Sequence, residues 1–411
     1  MNRVLHIYRY LFLSIFLLCQ ATFLQAQHFS ISDHKKQVRL RFRMVRDMMI
    51  IPVYINQKGP FNFVLDSGVG LMIITDPSLV DSISLDTKRT LNLFGSGNSD
   101  SFEAYATSTL NVRIPGDINS NFVSAAIMKK DHFGLSNYAG LPIHGLLGYE
   151  FFSHLAVKFN FSDSTLTVAR PGRFKPFRKG IQMPISIEDN KPYIYTSITL
   201  PDGCPIENKF IVDLGAGHPL SLENQQQHKD YLQKAIVANL GVGLTGPING
   251  YIGRVTEIGI GKYKFKDVIT SFPEPNAMYS SYKVRRDGNV GLGLLKKFSL
   301  VIDYQKKVMY LKPNYKFKEP FEHDMSGIEY YASGTDLKRI LISRVEPGSA
   351  ADEAGISAND EITAINFKQV AKMGLVDIDN LFKSKDKRNI LVEIRRDNKS
   401  ETKVLTLKRR I

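Results

Sequence analysis

The chain has 411 residues, 43% of them hydrophobic and 23% charged, with a formal net charge of +14. That balance excludes a disordered or fibrous protein and fits two or three globular domains, long enough to bury sizeable cores. The basic residues are dispersed, as in Lys35-Lys36-Gln37-Val38-Arg39-Leu40-Arg41-Phe42-Arg43, whose alternation reads as the solvated face of a strand and not as a nucleic-acid-binding patch.

Arg3 and Arg9, the apolar run Leu11-Phe12-Leu13-Ser14-Ile15-Phe16-Leu17-Leu18 and the tetrad Leu24-Gln25-Ala26-Gln27 read as a secretory signal peptide over residues 1–26, cleaved after Ala26. Its removal leaves a net charge of +12 and one cysteine, Cys204, which reads as a half-buried apolar residue and not as a nucleophile. Cys19 follows the bulky Leu18, so a lipid anchor is the lesser alternative. No later segment offers the roughly 18 consecutive apolar residues that a membrane-spanning helix needs.

Residues 50–55 read as a strand, 56–60 as a turn, and Phe61-Asn62-Phe63-Val64-Leu65-Asp66-Ser67-Gly68 as a buried strand that delivers a carboxylate to its end, before a glycine where the backbone turns. A lone copy of this pattern reads better as an Asx-turn aspartate closing a strand. The pattern returns, however, at Lys209-Phe210-Ile211-Val212-Asp213-Leu214-Gly215. A buried carboxylate costs several kcal/mol unless it is paired, so two copies in matched contexts point to chemistry.

Between the copies, Gly95, Gly97 and Asn98 mark a hairpin tip joining residues 91–94 to 109–114. Gly145-Leu146-Leu147-Gly148 follows, then strands at 157–161 and 165–168. The second pass has a strand at 193–200, the second aspartate run, Gly288-Asn289-Val290-Gly291, and strands at 301–304 and 308–311. Gly148 lies 82 positions after Asp66, and Gly291 lies 78 after Asp213. A repeat of about 147 residues is too long for a solenoid and suits two similar lobes. From about Ser326 the chain changes character, with strands at 327–331, 340–345, 360–366, 390–394 and 403–407 and helices at 348–355 and 376–382, enough for a small independent α+β domain.

These residues resemble two known families. The runs ending at Asp66 and Asp213, with Leu146-Leu147-Gly148 and Val290-Gly291 beside them, resemble the pepsin and retropepsin aspartic proteases over residues 45–315. Val345-Glu346-Pro347-Gly348-Ser349-Ala350-Ala351 and the segment 354–362 resemble a PDZ domain, with Asn359 where glycine is usual. The combination resembles exported bacterial aspartyl protease-like proteins acting in the periplasm or beyond the cell.

The resemblance implies a mainly β fold: a lobe over 27–170, a second over 171–318, an interlobe cleft, and a PDZ-like domain over 319–411. It implies Asp66 and Asp213 as a catalytic dyad supported by Ser67, Gly68, Leu214 and Gly215, with Gly95, Ser96 and Gly97 in a flap. Leu214 departs from the usual Thr or Ser and cannot supply its hydroxyl. A degenerate cleft that binds peptides without cutting them is therefore the alternative. In the tail, the amides of Ser326, Gly327 and Ile328 are expected to capture the carboxylate of a C-terminal peptide added as a strand.

Other signals carry less. Gly241-Val242-Gly243-Leu244-Thr245-Gly246 matches a dinucleotide fingerprint, but a helix-like run, 231–237, precedes it and a strand follows, the reverse of the required order. His218 reads as a surface or satisfied histidine. Asp33-His34 and His323-Asp324 have no partner at metal-ligand spacing, so neither metal nor cofactor is expected.

Overall fold

The computed structural model describes residues 28–83, 89–93, 102–201, 203, 205–223, 235–243, 246–274 and 283–411. Within them the fold is mainly β, gathered into four sheets. In the first half, Met48–Ile55 and Lys58–Leu65 form a hairpin whose second strand is exposed at its start and buried at Phe63, Val64 and Leu65. Gly145–Leu147 runs parallel to that strand, with Leu147 opposite Leu65, and antiparallel to Met72–Ile74. Met72–Ile74 in turn lies parallel to Ile118–Met128.

The second half repeats this plan in order and sense. Lys191–Thr199 and Pro205–Asp213 form the hairpin, and Gly288–Gly291 runs parallel to its second strand with Gly291 opposite Asp213. Leu220–Leu222 is antiparallel to Gly288–Gly291 and parallel to Tyr263–Pro273. A strand with neighbours on both edges and core on its faces must be apolar throughout, which is why both aspartate runs read as continuous hydrophobic stretches.

A six-stranded antiparallel sheet joins the halves. Its order is Ile181–Pro184, Val308–Pro313, Phe298–Asp303, Ala156–Asn160, Thr165–Ala169 and Gln37–Arg41, three strands from each half. The central seam pairs Val157 with Ile302 and Phe159 with Leu300. One apolar core runs through both halves and includes Phe152, Phe159, Phe210 and Phe298, each contributing about 1.5–3 kcal/mol by burial. The halves therefore cannot part without breaking a sheet. The basic alternation near the N-terminus lies here: Gln37, Arg39 and Arg41 face solvent while Val38 and Leu40 are buried.

The tail has its own sheet and core, with Ile342, Ile362, Ile378, Phe382 and Val392 at its centre. Ser349 caps the short helix Ala350–Glu353 by accepting the Asp352 amide, and Leu375–Phe382 is the longer helix. Among the described residues no helix is long and apolar enough to cross a membrane.

Two expectations change. The strand expected at 109–114 starts at Phe102, which pairs with Leu93. Gly95, Ser96 and Gly97 lie outside the described residues. The helix-like run 231–237 ends as strand, because Ile236 and Val237 open Ile236–Gly243 and pair with Ile252 and Tyr251; sheet pairing overrides the local helical pattern. The dinucleotide-like glycines sit on this hairpin, with Gly243 paired to Gly246.

Candidate active site

Asp66 follows Lys58–Leu65 and Asp213 ends Pro205–Asp213, so the two parallel-flanked strands aim their carboxyl groups at one place. The Asp66 amide donates to the Leu147 carbonyl at 3.0 Å, anchoring the first turn to the crossing strand. Each carboxylate then accepts from its own turn: Gly68 N–H reaches Asp66 Oδ1 at 2.7 Å, and Gly215 and Ala216 N–H reach Asp213 Oδ1 at 2.9 and 3.1 Å.

The glycines serve the opposite loop. A Cβ on Gly68 would stand 2.9 Å from the Asp213 carboxyl, and one on Gly215 would stand 2.2 Å from Asp66 Cγ. Only glycine lets the two carboxyl groups approach this closely. They lie within hydrogen-bonding reach of each other, and Asp66 is pushed up to about 8, first by burial and then by Asp213; the Gly68 amide and the Lys191 ammonium oppose the shift. Two carboxyls so placed do not ionise together easily, which is the second cause of the upward push on Asp66.

The supporting hydroxyl works in one direction. Ser67, fully buried, donates through Oγ to the Val212 carbonyl at 2.6 Å and accepts the Leu214 amide at 2.9 Å, tying the first loop to the second. Leu214 is equally buried, but its side chain joins the apolar core and returns no such bond. Sequence reasoning missed one group, Asn289, and set aside another, His218. Asn289 Nδ2 donates to Asp213 Oδ2 at 3.0 Å, and His218 Nε2 meets Asn289 Oδ1 at 2.6 Å. His218 is thus a satisfied histidine, but one that sits behind the dyad. Comparing Leu146 with Asn289 at matching places in the two halves was the available signal.

Each loop is backed by a hairpin turn from the other half. Asn190 Nδ2 reaches the Gly70 carbonyl at 3.3 Å. On the other side a Cβ on Gly217 would stand 3.3 Å from Asp47 Cβ, and Asp47 accepts Lys296 Nζ at 2.5 Å.

The tail's expected carboxylate loop is already filled. Ser326 and Gly327 amides donate to Asp324 Oδ1 at 2.9 and 2.6 Å, and the Ile328 amide donates to Ser326 Oγ at 3.1 Å. These donors do not await a peptide, because the side chain two residues upstream of Ser326 folds back onto them. Burial raises the Asp324 carboxyl, while the Ser326 hydroxyl and the Gly327 amide hold it down.

The neighbouring edge strand, Ile328–Ser333, is covered as well. Arg46 Nη1 donates to the Tyr330 carbonyl at 3.2 Å, and Asn137 Nδ2 donates to the Ala332 carbonyl at 2.8 Å. The Arg46 guanidinium grips Asp379 with two bonds of 3.0 and 2.9 Å and lies 4.5 Å over the rings of Tyr138 and Tyr330. The first half of the chain thus occupies the strand edge where an added peptide would lie. Arg46 and Asn137 were also missed from sequence.

Residues 51–151 match a family model described as aspartyl protease, and residues 341–396 match one described as PDZ domain. The chain therefore carries an aspartyl protease domain and a C-terminal PDZ domain. The first match contains Asp66 and ends before Asp213, so the second aspartate is related to the first by the repeated strand order. A solved structure titled photosystem II D1 C-terminal processing protease is 23% identical over 20% of this chain and 22% of its own length, with a TM-score of 0.19. The comparison with curated proteins finds no match.

Proposed function

We propose that this chain is an exported aspartic endopeptidase that cleaves peptide bonds with water activated by Asp66 and Asp213. One observation carries the reading: two equivalent turns bring two carboxyls together, and each turn carries a glycine at the point where the other's carboxyl approaches. In such a pair the ionised member takes a proton from a shared water while the protonated member polarises the scissile carbonyl. Collapse of the tetrahedral intermediate with proton transfer to the leaving amine completes the cut without a covalent enzyme adduct. The basic leader supports export to the periplasm or cell exterior, and the PDZ domain supports recruitment of a peptide or protein partner, which must displace Arg46 and Asn137 to reach the edge strand.

Leu214 favours a second reading, in which the cleft binds peptides without cutting them, because half of the reciprocal hydroxyl bonding is missing. The test is exposure of an unbiased peptide mixture to the mature chain from acid to neutral pH, with a pepstatin-type inhibitor and Asp66→Asn as controls. Inhibitor-sensitive internal cuts that vanish in Asp66→Asn are expected. Tight binding of uncut peptides by a folded sample would favour the second reading.

A further inference from the structure

Besides Ser67 and Leu214, the two halves differ at a second place beside the dyad. Leu146 pairs with Val64 in the first half, and Asn289 pairs with Ile211 in the second; Val64 and Ile211 each lie two residues before their aspartate. The repeat thus places an apolar side chain beside Asp66 and an amide beside Asp213. Asp213 accepts three N–H donors, from Gly215, Ala216 and Asn289, whereas among the described residues Asp66 is given one N–H, from Gly68.

We propose that Asn289, backed by His218, is a positioning residue that keeps Asp213 as the ionised member of the dyad, so that Asp213 is the base toward water and Asp66 the acid toward the carbonyl. The assignment rests on the peptidase reading above and removes the exchangeability of the two aspartates. An asparagine amide can present its NH₂ or its oxygen to Asp213, and the choice is made by what lies behind it. His218 Nε2 sits 2.6 Å from Asn289 Oδ1. A ring N–H there fixes the oxygen toward the imidazole and the NH₂ toward Asp213. Hydrogen bonds to the charged form of a carboxyl favour that form. Burial lowers the His218 pKa, against the pull of Asn289, Asp213 and Glu223, so the ring is held neutral, and its Nε2–H tautomer is the one that matches an Asn289 NH₂ turned to Asp213.

The other titratable groups around the dyad leave the difference in place. Lys191 faces both carboxyls, as does the phenol of Tyr304, which is itself pushed far up by burial. Glu223 lies behind His218 and is neutralised by Arg286 through two bonds of 2.9 Å. In the resulting step an O–H bond of water breaks and its proton passes to Asp213 as the new C–O bond forms. The carbonyl π pair moves to oxygen, which takes the proton of Asp66.

The test substitutes the residue that the first half uses. Asn289→Leu is expected to lower kcat by about 10- to 100-fold with little change in KM, the size of one lost hydrogen bond to a charged group. It is also expected to move the acidic limb of the kcat/KM profile up by about one pH unit, because an ionised Asp213 has lost a donor. His218→Gln, which keeps an N–H donor, is expected to retain far more activity than His218→Phe. An unmoved acidic limb and unchanged kcat in Asn289→Leu would overturn the proposal. Asn289→Ser serves if the leucine variant does not fold. Carboxyl-carbon NMR titration of the full chain, wild type and Asn289→Leu, reads the same assignment without turnover and so separates it from failure of the peptidase reading. Asp213 is expected to ionise before Asp66 and to shift upward in the variant. Asp66 ionising first, or an unmoved Asp213 midpoint, would reject it.

Discussion

The two aspartate loops share a backbone and differ in what surrounds them. The first half supplies the hydroxyl that ties the loops together, through Ser67; the second half supplies the amide that holds a carboxylate, through Asn289 on its crossing strand. A duplicated fold has thus divided between its halves two tasks that a symmetric dyad would perform twice. Identical strand order places the carboxyls, and unlike side chains decide what each one does.

The largest effect that sharpens this comparison is expected at the carboxyls themselves. Asp66→Asn or Asp213→Asn should each reduce cleavage by about 10³-fold or more while circular dichroism stays unchanged. Retained activity in either would break the dyad. Next is Arg46→Ala, which removes the contact that only the second loop's supporting turn makes with the tail. Truncating one member of a buried, hydrogen-bonded charge pair costs about 2–5 kcal/mol. The expected result is faster amide exchange at Ile328–Ser333 and stronger capture of added peptides by an edge that has lost its Arg46 donor and keeps Asn137.

Ser67→Ala strands the Leu214 amide and the Val212 carbonyl, at about 1–3 kcal/mol for each group left unsatisfied, read as a lower urea midpoint. Leu214→Thr asks whether the second loop has room for the missing hydroxyl. A polar, smaller side chain in a site lined by core residues should cost about 2 kcal/mol. A gain in stability would mean that the reciprocal bond forms after all.

A further effect is a slope with pH. Asp66 is raised from 3.8 to about 8, so the folded chain holds a proton that the unfolded chain has released between those values. Its contribution to stability therefore falls as pH rises from about 4 to about 8, and Asp66→Asn should flatten that part of a Tm–pH curve. The same proton loss predicts a decline of activity above about pH 8.

Much of the fold was legible because it rests on repetition. Two apolar strands ending in Asp-x-Gly, each followed about 80 positions later by a glycine-bounded strand, imply paired loops before any contact is known. The departure at Leu214 was legible for the same reason. What stayed hidden depends on contacts distant in sequence. Asn289 beside Val290 and Gly291 looks like a turn residue until the sheet sets it against Asp213. Arg46 is one of many dispersed arginines, and its partner Asp379 lies 333 positions away. The filling of the tail's carboxylate loop by Asp324 was hidden although Asp324 stands next to it, because the same local residues can turn their amides outward or onto a neighbouring carboxylate.

The turn at Arg46 and Asp47 has a thermodynamic consequence. One end of it lies against Gly217 in the second aspartate loop, and the other clamps Tyr330 and Asp379. A peptide that takes the Ile328–Ser333 edge must displace Arg46, so the free energy of that exchange is written partly into the loop carrying Asp213. Linkage of this kind is reciprocal: the factor by which an edge ligand changes the cleft's affinity is the factor by which a cleft ligand changes the edge's. For couplings of ordinary size that factor is about 5- to 150-fold. If the cleft and the edge both take peptides, the two titrate as one system, and a binding curve measured at either depends on what the other holds.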